Sequence, residues 1–412
     1  MHQDNSRPAQ HQNYGPTQNF LYPFAAIRSS IRSVHSVTEL LQQLVRIPSV
    51  NPDGDPGTDQ CGEQVLAEWL ANYLGEAGFS TSLEEVEPGR PNLIARAPGP
   101  DNRPRILLCP HLDTVSVAGM TVDPFAAEIR DDKIWGRGAS DTKGPMASMI
   151  WGLLENRDRL ADLPVAVDFV AFMSEESDQW GSKHFVKHHG GDYEFAIAGE
   201  PTSLHIVYVT KGSLWASLTA TGQSGHASQP ELGDNAIMKL VRALEPLEQD
   251  LIAKLATFTH PVLGRSTLNV GMIRGGTRAN IIPDRASATI DIRFVPDLVS
   301  GGTALGYVEA FIAQRGLPLE LSQVTENPPM ELPADHPWLH RLHAINPESE
   351  LVGAPWFSDA AHLNDGGIPA VCLGPGSINQ AHTKDEYISI PDLVQGAAYF
   401  TKLVAGLAQT SP

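Results

Sequence analysis

The chain has 412 residues and a globular composition, 42% hydrophobic and 19% charged, a length that predicts two domains rather than one core. The formal net charge of −19 argues against a nucleic-acid partner, which needs clustered Lys and Arg to meet phosphate. No run approaches the roughly 18 consecutive apolar residues of a membrane span. Three cysteines, Cys61, Cys109 and Cys372, are too few and too widely spaced for a disulfide framework. Cys109 and Cys372 sit in apolar runs and read as buried core residues, which fits a reducing compartment.

Residues 1–35 are rich in Gln, Asn, Pro and Ser and read as a disordered extension. The apolar segment Phe20 to Ile27 is short and broken by Pro23, so it does not make a signal-peptide core. The expected compartment is the cytoplasm. Folding begins near Val37, where VTELLQQLVRI carries apolar residues at helical spacing behind Ser36 as N-cap. A second helix is expected from about Gly62 to Ala77, and a short strand over Asn92 to Ala95.

Four apolar runs follow, each bounded by turn residues: RILLCP (Arg105 to Pro110), VAVDFVAFM (Val165 to Met173), EFAIA (Glu194 to Ala198) and PAVCLG (Pro369 to Gly374). Separated by helical segments such as SMIWGLLENRDRL and PDLVQGAAYFTKLVAGL, they describe strands of a sheet covered on both faces. Between Ser213 and Thr325 the order becomes strand, helix, strand, strand, helix, strand. That βαββαβ order is the ferredoxin-like arrangement and predicts an inserted domain. The expected organisation is a catalytic α/β domain in two parts (36–210 and 326–412), with a mostly parallel sheet flanked by helices and an insertion over 211–325.

The polar residues that carry chemistry lie just past those runs. His111 and Asp113 follow the first, Glu175 and Glu176 the second, Glu200 the third, and a loop leading to His382 the fourth. Asp141 stands in a Gly-rich turn before a helix. Ligands of open α/β sheets bind outside the carboxyl ends of strands. Two His and three acids, one of them bridging, can hold two divalent metals, and a further carboxylate can stay free as a base. Donors without thiolate suit zinc, cobalt or manganese. Asp113, two residues from His111 on a strand, can orient its ring. Singly these signals are ordinary, a strand-end H-x-D or a solvated Glu-Glu pair; their joint order at strand ends carries the reading.

The stretches PHLDTV, GRGASDTKGPMA, SEES, GEPT, TGQSGHASQPELGDNAI, RANIIPD and GPGSINQAHTKDEYI together resemble the co-catalytic zinc hydrolases. That family includes acetylornithine deacetylase, succinyl-diaminopimelate desuccinylase, aminoacylase and bacterial glutamate carboxypeptidase. The resemblance runs from about Val37 to the C-terminus, and its tail looks most like acetylornithine deacetylase. It implies that Asp141 bridges two metals, that His111 and Glu200 complete one site, and that Glu176 and His382 complete the other. Glu175 is then the general base, and the peptide after Asp141 is cis. By the same resemblance the insertion is a lid that forms a homodimer, and His226 reaches across it as an oxyanion donor. Asn280, Arg293, Lys211 and the backbone at Gly374 would contact the substrate carboxylate. The bland readings are a surface-loop His226, a strand-end ion pair at Arg293 and a solvated Lys211. The implied substrate is an N-acyl amino acid or a dipeptide. The alternatives are desuccinylase, aminoacylase or dipeptidase activity, or an inactive peptide-binding relative.

Overall fold

The computed structural model describes residues 34–408, so the expected extension lies outside it through residue 33. Helix Val37–Arg46 starts as its sequence predicts: the Ser36 hydroxyl accepts a hydrogen bond from the Glu39 amide at 3.2 Å, and its apolar stripe is buried. Helix Gln64–Glu76 follows. The short strand expected at Asn92–Ala95 is longer, Arg90–Arg96, and pairs antiparallel with Ser80–Glu87. That first hairpin strand is half-exposed and acidic, so it carries too little apolar alternation to be read from sequence.

The central sheet has nine strands. Its order runs Ser80–Glu87, Arg90–Arg96, Ala166–Ala171, Arg105–Cys109, Phe195–Ala198, Ala370–Cys372, Ile206–Thr210 and Met330–Glu331, with Leu351–Ala354 also on Ile206–Thr210. The four apolar runs form adjacent strands at its centre and pair parallel. Their carboxyl ends therefore open on one edge. Antiparallel neighbours flank them on both sides. Helices Lys143–Glu155 and Ile390–Gly406 pack together, and helices Trp180–His189 and Asp359–Asp365 pack together. Cys109 and Cys372 are buried, and Cys61 is exposed.

Gly212–Asn327 builds a second, four-stranded antiparallel sheet. Its order is Thr267–Gly275, Arg285–Phe294, Gly212–Thr221, Glu320–Asn327. Strand Arg285–Phe294 alternates burial residue by residue, as a one-sided sheet requires. Leu214, Ile290, Ile292 and Phe294 bury against Val308, Phe311 and Ile312 of helix Ala304–Arg315. The expected single helix over Asn235 to Leu251 instead loosens after Pro246 into a π-turn at Leu247–Leu251. Proline has no N–H to close the regular ladder, which makes this a natural place for a change of pitch. The fold is thus an α/β catalytic domain with an inserted ferredoxin-like domain. Among the described residues no helix is long and apolar enough to cross a membrane.

Candidate metal centre

His111 stands one residue beyond strand Arg105–Cys109 and Pro110, held beside Phe172 by a backbone bridge. Its Nδ1 lies 2.9 Å from the Asp113 carbonyl, which can only accept, so Nδ1 carries a proton. The ring thereby presents Nε2 to the cleft, 3.1 Å from Asp141 Oδ1 and 4.0 Å from Glu175 Oε2. Asp141 turns its other oxygen to His382, whose Nε2 is 3.5 Å from Oδ2. The same His382 nitrogen is 3.0 Å from Glu176 Oε2. Donor atoms of His111, Asp141 and Glu176 all lie within 4.8 Å of one another. Glu200, just past strand Phe195–Ala198, is buried and electrostatically coupled to Asp141 and His111. Segments from residue 111 to residue 382 thus meet at one sheet edge.

Two buried carboxylates anchor this cluster without facing the cleft. Asp113 accepts the Glu175 amide on Oδ1 at 3.0 Å, and on Oδ2 the Glu176 amide at 3.1 Å and Asn51 Nδ2 at 2.8 Å. It fixes the backbone of both glutamates as well as lying beside the His111 ring. Glu386 does the same for the Asp141 turn: Oε1 accepts the amides of Ser140 (2.9 Å) and Asp141 (3.0 Å). Its Oε2 accepts Arg137 Nη1 (2.6 Å) and the Gly138 amide (3.1 Å). Sequence reasoning missed Asn51, Arg137 and Glu386. The available signal was position alone: SVNP just after the first helix, and Glu386 four residues beyond His382. The peptide between Asp141 and Thr142 is cis, and the Thr142 hydroxyl donates to the Gly199 carbonyl.

The electrostatics show what the cluster needs. Burial pushes the Glu175 carboxyl well above its usual range; His111 opposes this, while Glu200 and Glu176 add to it. Burial raises Glu176 too, with Asp141 adding repulsion, and raises Glu200 for the same two reasons. His382 is driven to about 9, first by its hydrogen bond to Glu176. Burial disfavours charge on His111, yet Asp113 and Asp141 outweigh it and lift its pKa well above normal. Four crowded carboxylates and two imidazoles thus call for cations. Glu176 Oε1 is buried with no hydrogen-bond partner among the described residues. Imidazole and carboxylate donors, an orphaned oxygen and an uncompensated negative charge fit a divalent metal.

Other residues singled out from sequence lie outside the cluster. His226 is exposed on the inserted domain, where its Nδ1 accepts the Ser228 amide at 3.2 Å, leaving Nε2 as the donor. Asn280 is exposed nearby, its carbonyl accepting the Ala227 amide at 3.1 Å. Arg293 is clamped by Asp291 at 2.9 and 3.2 Å and lies over Trp215, the bland ion pair. Lys211 is buried and donates to the Arg265 carbonyl. Gly374 is beside the cluster: a Cβ there would meet the Glu200 carbonyl at 2.6 Å, so only glycine lets the two segments approach.

Comparison with known proteins matches this architecture. Residues 107–406 match Peptidase family M20/M25/M40. The chain belongs to this family. It is 31% identical over 365 residues to an acetylornithine deacetylase of Vibrio atlanticus, covering 86% of this chain and 94% of that protein. To an acetylornithine deacetylase of Proteus mirabilis it is 32% identical over 367 residues, covering 85% and 92%. Among solved structures, the M20 family metallo-carboxypeptidase Sso-CP2 of Sulfolobus solfataricus superposes with a TM-score of 0.76 at 18% identity, over 91% of this chain and all (100%) of that one. The YXEP protein of Bacillus subtilis, described as a dinuclear metal binding peptidase of the M20 family, gives 0.64 at 15% identity, over 94% and 100%. As an M20 member the protein is a metal-dependent hydrolase of amide bonds.

Proposed function

We propose that the protein hydrolyses the amide of a small N-acyl amino acid, in the manner of the acetylornithine deacetylases it resembles, with two divalent ions, zinc first among them. One observation carries the reading: Asp141 offers one oxygen to each imidazole, Glu176 joins the second imidazole, and Glu175 remains over. In this reading Asp141 bridges, His111 and Glu200 hold one ion, and Glu176 and His382 hold the other. Ions so held supply Lewis-acid polarisation of the scissile carbonyl and a lowered pKa for the attacking water.

The chain's own residues do the rest. Glu175, its backbone pinned by Asp113, takes the proton of the attacking water and delivers it to the leaving amine. Asp113 also keeps the proton of His111 on Nδ1. The partner subunit's His226 donates from Nε2 to the developing oxyanion, an assignment supported by the Ser228 amide that occupies Nδ1. Asn280, Arg293, Lys211 and the Gly374 backbone receive the substrate carboxylate, for which Arg293 exchanges Asp291. The homodimer forms through the lid of residues 211–325, between catalytic parts 36–210 and 326–412. Its support is the edge strand Thr267–Gly275, which exposes Val270, Met272 and Ile273. The expected compartment is the cytoplasm.

Initial rates with N-acetylornithine, N-succinyl-diaminopimelate, other N-acetyl amino acids and dipeptides test the substrate. Preference for a dipeptide would replace the deacetylase reading. Glu175→Gln is expected to abolish most turnover with metal content unchanged, and Glu176→Gln to lose metal. The opposite pattern reverses the two roles.

A further inference from the structure

The loop between strand Ala166–Ala171 and helix Trp180–His189 carries Glu175 and Glu176 and ends at Gln179. Gln179 is buried, and its backbone stands in the left-handed region at φ 51°. A residue other than glycine is strained there, and such strain persists only where the surroundings enforce it, often at functional sites. Here the side chain does the enforcing. Its Nε2 donates to the Glu175 carbonyl at 2.6 Å and to the Ser177 carbonyl at 2.9 Å. Both partners can only accept, so the NH2 must face them, and each of its two hydrogens is used. The backbone amide of Gln179 closes the loop once more, on the Ser174 carbonyl at 2.7 Å. The Lys183 amide, in the first turn of the helix, holds the Gln179 carbonyl at 3.2 Å. Gln179 Oε1, by contrast, is buried with no hydrogen-bond partner among the described residues. A buried acceptor left unpaired is costly, so this arrangement serves the loop at some expense to the fold.

We propose that Gln179 is a positioning residue for the general base, holding Glu175 by its carbonyl as Asp113 holds it by its amide. The two held groups belong to the two peptides that flank the Glu175 Cα, with the amide on Asp113 Oδ1 at 3.0 Å and the carbonyl on Gln179 Nε2 at 2.6 Å. Once both peptide planes are set, the direction of the Cα–Cβ bond is set with them. The Glu175 carboxylate is then kept aimed at the attacking water, which a general base must reach within hydrogen-bond distance. Without the Gln179 clamp the second plane can turn, and the carboxylate samples directions from which it cannot take the proton.

Glu176 has holds of its own: its amide rests on Asp113 Oδ2 at 3.1 Å and its carboxylate lies 3.0 Å from His382. Loss of the clamp therefore acts on turnover and leaves the metal in place. The inference rests on the reading of Glu175 as the base.

The test uses the metal-loaded full chain, the best substrate among the N-acyl amino acids and dipeptides, and two replacements. Gln179→Met keeps the bulk of the side chain and removes both donors. Gln179→Gly removes them too but relieves the left-handed strain, so a loss common to both is not a folding defect. Each is expected to lower kcat by roughly 10–100-fold, the usual cost of losing a residue that orients a functional group. KM is expected to stay within about twofold, because substrate binding is untouched, and metal content to stay unchanged. In a Glu175→Gln background either replacement is expected to change the residual rate by less than about twofold, since residues that act as a unit are not additive. Near-normal turnover in both variants, metal lost in step with activity, or an undiminished drop on top of Glu175→Gln would overturn the proposal. If Glu175→Gln alone turns over normally, the base assignment itself has failed and takes this inference with it.

Discussion

Replacing Glu386 by Gln tests how the catalytic cluster is held. The carboxylate is fully buried between Arg137 and three loop amides, with four N–H donors at 2.6–3.1 Å on its two oxygens. Burial pushes its pKa up, against the pull of Arg137 and the loop amides. With four N–H groups aimed at two oxygens no proton fits between them, so it stays ionised near neutral pH. Gln has the same shape but turns one oxygen into an NH2. Facing Arg137 and Gly138 with the remaining oxygen, it sets the NH2 against the Ser140 and Asp141 amides. The reverse rotamer sets it against a buried guanidinium.

Either way two charge-assisted bonds are lost, each worth about 1.5–3 kcal/mol, and the Arg137 charge loses its counter-ion. Breaking a buried pair this way costs about 3–5 kcal/mol, a large part of a typical stability of 5–15 kcal/mol. The favoured rotamer keeps Arg137 hydrogen-bonded to the amide oxygen and unpins Asp141 instead. Urea unfolding of the metal-loaded protein is expected to show a loss in that range. Metal titration is expected to show affinity lowered by about 10–100-fold, as for other residues that orient a ligand. A variant with wild-type metal affinity and a loss below about 1 kcal/mol would refute the idea that Glu386 positions Asp141.

His226→Ala is expected to lower kcat by about 10²–10³ with little change in KM, since an oxyanion donor acts in the transition state; near-normal turnover, or a monomeric active enzyme by sedimentation, would remove that role. Burial depresses His362 to about 3. Between that value and the unfolded pKa near 6.5 the unfolded chain binds the extra proton, so stability is present at neutral pH and falls on acidification by up to roughly 1.4 kcal/mol per pH unit. Urea unfolding at pH 6.5 and 4.5 is expected to show this slope, and His362→Asn to flatten it; equal slopes would exclude the histidine. Chelation of the metal is expected to lower the melting temperature, because a ligand of the native state alone stabilises it; an unchanged melt would show that the cluster binds no metal tightly.

The parts of this architecture that were legible in the sequence are those whose signal is local. The four apolar runs announce buried strands by their own composition, and His111, Asp113, Glu175, Glu176 and Glu200 lie within a few positions of the strands that aim them. The alternation in Arg285–Phe294 likewise gives the face of the inserted sheet. What escaped was carried by distant partners. Glu386 matters through amides nearly 250 positions earlier in the chain. Asn51 reaches Asp113 from a loop after the first helix, across 62 positions. Strand Ser80–Glu87 is stabilised by pairing with Arg90–Arg96 more than by its own half-exposed side chains. The π-turn after Pro246 interrupts a run whose apolar spacing continues without a break.

The two hidden carboxylates also explain how adjacent glutamates can differ in role. Asp113 receives the amide of Glu175 on one oxygen and that of Glu176 on the other, so the peptide between them is held at both ends. With the backbone fixed, the side chains leave in different directions: Glu176 meets His382 at 3.0 Å, while Glu175 approaches His111 only to 4.0 Å. A mobile loop would let the two carboxylates exchange places, and the proposed base and the proposed ligand would compete for the same cation. Asp141 is fixed in the same way by Glu386, through its own amide rather than its side chain. Its carboxylate is therefore free to turn one oxygen to each imidazole. The anchoring charges stay out of the cleft, and within it four carboxylates face two imidazoles, a balance that stays negative until cations arrive. That separation makes the site both rigid and dependent on metal.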